Sequence, residues 1–217
     1  VNTTIEYLPY LFQGVYYSVG LGAVSFACAA LIGLFLAVIR DKASLVGRSI
    51  INTYVSVFRA LPELLTVLVT YYGSVALSNY TGLPELSPFA AALLAFSVQI
   101  GSYACQIFSD AYRALPRGLM EAAHAIGMPE YLVNFRIAIP LMLRLAAPSL
   151  GNLLLVVIKL TAISSVIGVV ELTRRAQIVA GATHDPLTVF GYAAVIYLVV
   201  LAVLTLLQRR LETAKQI

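Results

Sequence analysis

Apolar and polar positions alternate along this chain on the scale of whole helices. Five stretches dominated by Leu, Val, Ile, Ala and Phe run from about Val15 to Ile39, Ile50 to Leu77, Pro88 to Phe108, Ala146 to Val170 and Thr188 to Leu207. Each is long enough to cross a hydrocarbon layer of about 30 Å as an α-helix. The gaps differ in charge. One holds Arg40, Lys42 and Arg48, another Arg113, Arg117, Arg136 and Arg144, and the tail holds Arg209, Arg210 and Lys215. The gap from Ser78 to Ser87 has turn residues and no Lys or Arg. Positive charge beside a span marks the cytoplasmic side. The pattern therefore predicts five transmembrane helices with the N-terminus outside and the C-terminus cytoplasmic. Arg174 and Arg175, in the polar segment from Glu171 to Pro186, run against this bias but are outnumbered.

Composition narrows the class. Of 217 residues, 60% are hydrophobic and only 11% charged, with mean hydropathy +0.90; a soluble domain has about 25% charged residues. The expectation is an all-α membrane protein, a single transmembrane domain over 1–217 with no room for a separate soluble one. The net charge of +4 sits mostly on the loops, so nucleic acid is not an expected partner. The first 12 residues carry no Lys or Arg, and no cleavable signal peptide is expected. Cys28 and Cys105 lie far apart in apolar spans and read as small packing residues. His124 and His184 stand alone, so no metal site is expected. Tyr7, Tyr10, Tyr16 and Tyr17 suit a membrane interface.

Inside the spans, polar residues are sparse and therefore informative. Ser18, Gly22, Ser25, Ala29 and Gly33 recur at helical spacing and form a small-residue face for close helix packing. Gln99, Ser102, Tyr103, Gln106 and Asp110 form a stripe along one face of the third span. It serves either interhelical hydrogen bonding or the wall of a solute pathway. Arg59, Glu63 and Lys159 are ionisable within spans, and such residues are functional candidates by default. Arg59 and Glu63 stand at i, i+4, and Pro62 between them removes a backbone donor, so the second span should kink or unwind there. Freed carbonyls at such a break can line a cavity. Glu63 and Lys159 both fall about 13 residues into their spans, roughly 20 Å from the inner face. Glu63 either pairs with Arg59 or Lys159, or meets a solute.

The one long interruption of the apolar pattern is the loop over about 110–145. Leu119 to Ala125 favours helix, Gly127 can cap it, and Pro129 suits the start of a second helix running from Glu130 to Ile139 and ending at Pro140. Two short helices joined by a glycine turn make a stiff knob beside the membrane.

Glu121-Ala122-Ala123, Gly127 and Ile137-Ala138-Ile139-Pro140 together resemble the EAA–G–I-x-L-P motif of the membrane subunits of ATP-binding-cassette importers, with Ile139 where the family usually has Leu. Phe58-Arg59-Ala60-Leu61-Pro62 resembles the FRGxP segment of polar-amino-acid permeases, Ser87-Pro88-Phe89 the start of their third span, and Ser164-Val166-Ile167-Gly168 with Glu171-Leu172 their SVIGVxEL segment. Lys159-Leu160-Thr161 stands where that family usually has Lys-Asp-Thr, and Pro62-Glu63-Leu64 resembles the acidic variant of permeases for basic amino acids and opines. The resemblance covers nearly the whole chain. It implies the type I importer fold in the bacterial inner membrane. The knob, through Glu121, Ala122, Ala123, Gly127 and Pro129, would dock on an ATPase dimer. A second permease, identical or related, and an extracytoplasmic solute-binding protein would complete the assembly. ATP would be bound by the ATPase, with no cofactor in this chain and no catalytic residue. The pathway would be drawn from Arg59, Pro62, Glu63, Gln99, Tyr103, Lys159 and Thr161, and the solute would be a basic amino acid or opine, or another polar or neutral amino acid. Two other classes are weaker. A free-standing secondary transporter is disfavoured by five spans without inverted repeats. An intramembrane enzyme would rest on Ser164, Ser165 and Lys159 without an oxyanion element, and no Gly-rich phosphate loop, HExxH or GxSxG is present.

Overall fold

A computed structural model describes residues 6–213. Lys215 and the side chains of Lys42 and Arg117, counted above for their charge, lie outside the described residues. The elements are all helical among those described.

Helix α1 (Leu8–Lys42) has 35 residues and apolar side chains all round its circumference. At 1.5 Å per residue it measures about 52 Å, more than the hydrocarbon layer needs. It stops at Ala43, which is extended, and Ser44 caps the next helix by accepting the Gly47 N–H at 3.4 Å. That helix, α2 (Leu45–Ala60), and its successor α3 (Glu63–Thr81) take the place of the continuous second span expected over Ile50–Leu77. They meet at 106°. Pro62 leaves the Phe58 carbonyl without its i+4 donor, and its ring disfavours a helical Leu61; Leu61 and Pro62 are extended, with ψ of 135° and 134°.

Ser87 caps α4 (Pro88–Arg113) by accepting the Ala90 N–H at 3.2 Å, with Pro88 in the first turn where its missing donor costs nothing. This helix runs one turn past its expected end at Phe108. It is the centre of the larger of two apolar cores. Close approach to α1 depends on Gly33, where a Cβ would lie 2.5 Å from the Ala104 Cβ. Of the small-residue face on α1, Ser18, Ser25 and Ala29 are buried and Gly22 lies against Ile158. The packing reading of that face is what the fold uses, and Cys105 is likewise buried in the core.

Helix α5 (Arg117–Ala125) and helix α6 (Glu130–Val133) follow. The expected stop at Pro140 does not occur. Instead a π-helical turn over Asn134–Ala138 leads straight into α7 (Ile139–Leu160). A widened turn accommodates the proline ring and its missing N–H without breaking the rod. The fourth span is thus longer than the expected Ala146–Val170 at its start. At its far end it tightens into a 3-10 helix, Thr161–Ile167, and halts at Gly168, whose φ is +94°. The polar segment from Glu171 to Pro186 contains a helix, α8 (Leu172–Thr183), packed against α1 and α9 (Pro186–Thr213). These three form the second core, around Leu11, Leu172, Val179, Val189 and Ile196. Among the described residues, four helical runs are long and apolar enough to cross a membrane, and the bent α2–α3 pair makes a fifth if it counts as one span.

Candidate functional site

The Pro62 break lies on α4. The Gln99 amide donates to the carbonyls of Phe58 at 3.2 Å and Leu61 at 2.8 Å. One turn further on, the Tyr103 hydroxyl donates to the Arg59 carbonyl at 3.4 Å. These carbonyls cluster at the interruption, and the neighbouring helix supplies the donors. The Arg59 guanidinium lies 5.6 Å from the Tyr103 ring centroid, a cation–π distance.

Directly past the break, Glu63 opens α3 and faces a cavity of about 570 Å³ between α3, α4 and α7. Its polar lining is Glu63, Tyr103, Ser149 and Asn152; the rest is apolar side chains such as Ile107, Leu153 and Val156. Glu63 is half-buried. Among the described residues no salt bridge ties it to Arg59 or Lys159, and no side chain donates to its carboxylate.

The expected pathway residues therefore divide. Glu63 and Tyr103 line the cavity, and Pro62 and Arg59 belong to the break beside it. Gln99 is fully buried behind the wall. Thr161 is also fully buried, with its hydroxyl on the Ile158 carbonyl at 2.7 Å, and Lys159 is exposed and points elsewhere. Depth along the helix placed Lys159 level with Glu63, and the family resemblance added Thr161; azimuth around the helix brings neither into the cavity. The polar stripe on α4 also divides. Gln99 and Ser102 are buried in helix contacts, Tyr103 lines the cavity, and Gln106 reaches Asp110 at 2.8 Å and Arg40 at 3.5 Å. Ser149 and Asn152 were missed. Their signal is their spacing of i, i+3 as neighbouring polar residues within a long apolar helix.

Glu171 was also missed. The SVIGVxEL resemblance includes it, yet the charged segment reads as a loop. It is fully buried and caps α8. Its carboxylate accepts the N–H groups of Thr173 and Arg174 at 2.9 and 2.8 Å, the Ser18 hydroxyl at 3.2 Å and the Tyr197 hydroxyl at 2.9 Å. Arg175, one turn on, does not pair with it. Its guanidinium lies 4.3 Å from the Tyr10 ring centroid and donates to Gln13 at 3.0 Å. Tyr10 thus packs on α8 instead of serving only as an interface residue, whereas Tyr16 is well exposed.

At the basic end of the bundle, α5 ends in a complete Schellman turn. Gly127 has φ +81°, its N–H reaches the His124 carbonyl at 2.9 Å, and the Met128 N–H reaches the Ala123 carbonyl at 3.1 Å. Pro129 then caps α6. Glu121 and Ala122 are exposed while Ala123 is buried. Ile126, Tyr131 and Phe135 are exposed around the turn, an apolar tip larger than an isolated loop needs.

Comparison with known proteins agrees with this geometry. The sequence profile of the family described as binding-protein-dependent transport system inner membrane component matches residues 29–216. The arginine ABC transporter permease protein ArtQ of Haemophilus influenzae is 34% identical, over 95% of this chain and 94% of its own. The L-cystine transport system permease protein TcyB of Bacillus subtilis is 33% identical, over 95% and 87%. The nopaline transport system permease protein NocQ of Agrobacterium fabrum is 36% identical, over 70% and 68%. Among solved structures, a crystal structure of an amino acid ABC transporter with histidines superposes with a TM-score of 0.88 at 26% identity, covering 98% of this chain and 97% of that one.

Proposed function

The chain belongs to the family of binding-protein-dependent transport system inner membrane components and is a multi-pass permease subunit of an ATP-binding-cassette importer; we propose that its solute is an amino acid or opine with a cationic side chain, held by Glu63. The observation that carries this is a single carboxylate facing a 570 Å³ cavity with no cationic side chain among the described residues against it. An unpaired carboxylate at that depth is costly, and a cationic solute removes the cost. Ser149 and Asn152 on the opposite wall offer neutral hydrogen-bonding groups for the amino and carboxylate ends of the solute. The arginine and nopaline relatives and the structure with histidines support the same charge class. The cystine relative supports a second reading, a solute without net positive charge.

In the proposed assembly the α5–α6 knob docks on an ATPase dimer through Glu121, Ala122, Ala123, Gly127 and Pro129, ATP is bound there, and this chain holds no cofactor. A solute-binding protein delivers solute from the side opposite the knob, with the N-terminus outside. A second permease, identical or homologous, covers the exposed face of α7. The exposed Lys159 supports that, since an ammonium facing lipid is expensive.

The test uses arginine and citrulline, which share shape and differ in charge. Their uptake is measured in proteoliposomes holding the assembled importer and its binding protein, with wild type and Glu63→Gln. Loss of a charged hydrogen bond costs about 1.5–3 kcal/mol, so arginine should weaken roughly tenfold to a hundredfold at the membrane site. An assembled variant that carries both solutes as well as wild type does would assign Glu63 a structural role and favour the uncharged class.

A further inference from the structure

Gln99 makes contacts that a wall residue of a pathway does not need. It is fully buried, yet both of its hydrogen bonds go to the backbone that leads into the Pro62 break, one to the last turn of α2 and one to the Leu61–Pro62 peptide itself. The Phe58 carbonyl is the group that Pro62 cannot serve, because position 62 would be its i+4 donor. The Leu61 carbonyl sits on the extended peptide immediately before the turn. A primary amide presents two N–H groups from one nitrogen, and here they tie the linking Leu61–Pro62 peptide to the end of α2. The amide cannot be reversed without pointing its oxygen at two carbonyl oxygens. In the orientation found, Oε1 is buried without a partner, so the residue keeps one unsatisfied acceptor in order to place two donors. Glu63 stands two residues past Leu61, at the first position of α3. Any rotation of the extended Leu61–Pro62 link swings that carboxylate relative to Tyr103, Ser149 and Asn152.

We infer that Gln99 is a positioning residue for solute recognition: it fixes the angle between α2 and α3 and thereby sets the Glu63 carboxylate in the cavity. Other contacts hold α2 on α4, among them the Tyr54 hydroxyl on the Val98 carbonyl. Gln99 and Tyr103 reach the break itself, and of the two only Gln99 touches the segment past Arg59. A side chain without donors at position 99 frees the Leu61 carbonyl to turn, and α3 with it. The inference rests on the reading that Glu63 recognises the cation.

The test replaces Gln99 with leucine, of similar bulk and without donors. Two quantities are read on the assembled importer in detergent without binding protein: equilibrium binding of radiolabelled arginine and citrulline, and the distance distribution between nitroxide labels at Thr53 on α2 and Gly73 on α3. Gln99→Leu should broaden the distribution and lower the arginine-over-citrulline preference by about fivefold or more, the loss of about one hydrogen bond's worth of placement. Pro62→Ala restores a donor to the Phe58 carbonyl, so Pro62→Ala/Gln99→Leu should regain a narrow distribution. Should Gln99→Leu fail to assemble, the double variant must assemble; failure of both overturns the inference. An unchanged distribution, or a broadened one with the arginine preference intact, also overturns it. Glu63→Gln is measured alongside. If that variant keeps the arginine preference, the cation reading falls, while the distance measurement still decides whether Gln99 holds the break.

Discussion

Two glutamates open two helices in this chain, and their surroundings are opposite. Glu171 caps α8 and is fully buried, with four donors drawn from α1, α8 and α9. Glu63 opens α3 half-buried, and its carboxylate receives no hydrogen bond from any described residue. A buried carboxylate is tolerated when its lone pairs are filled. Glu171 is filled by its own chain and so holds the second core together. On the proposed reading, Glu63 is left for a solute. The same side chain is a fastener at the cap of one helix and, on the proposed reading, a receptor at the first position of the other, and what separates them is the supply of donors.

The largest expected effect tests the fastener. Glu171→Ala leaves two hydroxyls and two N–H groups without their acceptor, at about 1–3 kcal/mol for each that stays buried and unsatisfied. Recovery of monodisperse complex by size-exclusion chromatography should fall severely, whereas Glu63→Ala should be recovered nearly as well as wild type. Equal recovery of both would dissolve the contrast. Next in size is the knob, remote from either glutamate. Gly127→Val forces a β-branched residue to φ +81°, a strain of about 1–2 kcal/mol. It should reduce copurification of the ATPase and solute-stimulated ATP hydrolysis while arginine still binds; intact hydrolysis would remove the turn from coupling. Ser18→Ala removes one donor of the four on Glu171 and the acceptor of the Leu172 N–H, and should lower thermal stability by about 1 kcal/mol with uptake retained; a loss comparable to Glu171→Ala would make the hydroxyl, not the carboxylate, the centre of the fastener. The mildest perturbation changes no contact of either glutamate. Single cysteines at Thr81 and His184 should react with an impermeant thiol reagent added to intact cells, and one at Ile126 should not. Labelling at Ile126 would invert the proposed orientation.

What could be read from the sequence was what local rules decide. Gly127 and Pro129 write the knob's turn within a few residues of themselves, and the turn formed as expected. Pro62 announces a break for the same reason. It does not announce 106°, because that angle is held by Gln99, 41 residues from Phe58. Lys159 illustrates a second limit. Counting residues gives depth along a helix, but each residue turns the helix by about 100°, so a small error in placing a face removes a side chain from a cavity. Pro140 was misjudged because a π turn, a rarer device than a helix end, absorbs it. Glu171 was hidden by its neighbours: Arg174, Arg175, His184 and Asp185 make the segment read as solvated, while its burial comes from Ser18, 153 residues away, and Tyr197, 26 residues away.

The π turn before Pro140 has a mechanical meaning. Had Pro140 ended the helix, the knob would hang from the membrane by a flexible joint. Instead helical backbone is unbroken from Glu130 beside the Gly127 turn to Pro148 on the cavity wall. That is a lever arm of about 27 Å, taking 18 residues at 1.5 Å each. A tilt of about 5° at the knob carries the wall by roughly 2.4 Å over that length, close to the width of a water molecule. On the proposed docking, a small rotation imposed at the knob would arrive at the cavity wall as a displacement large enough to open or shut a passage.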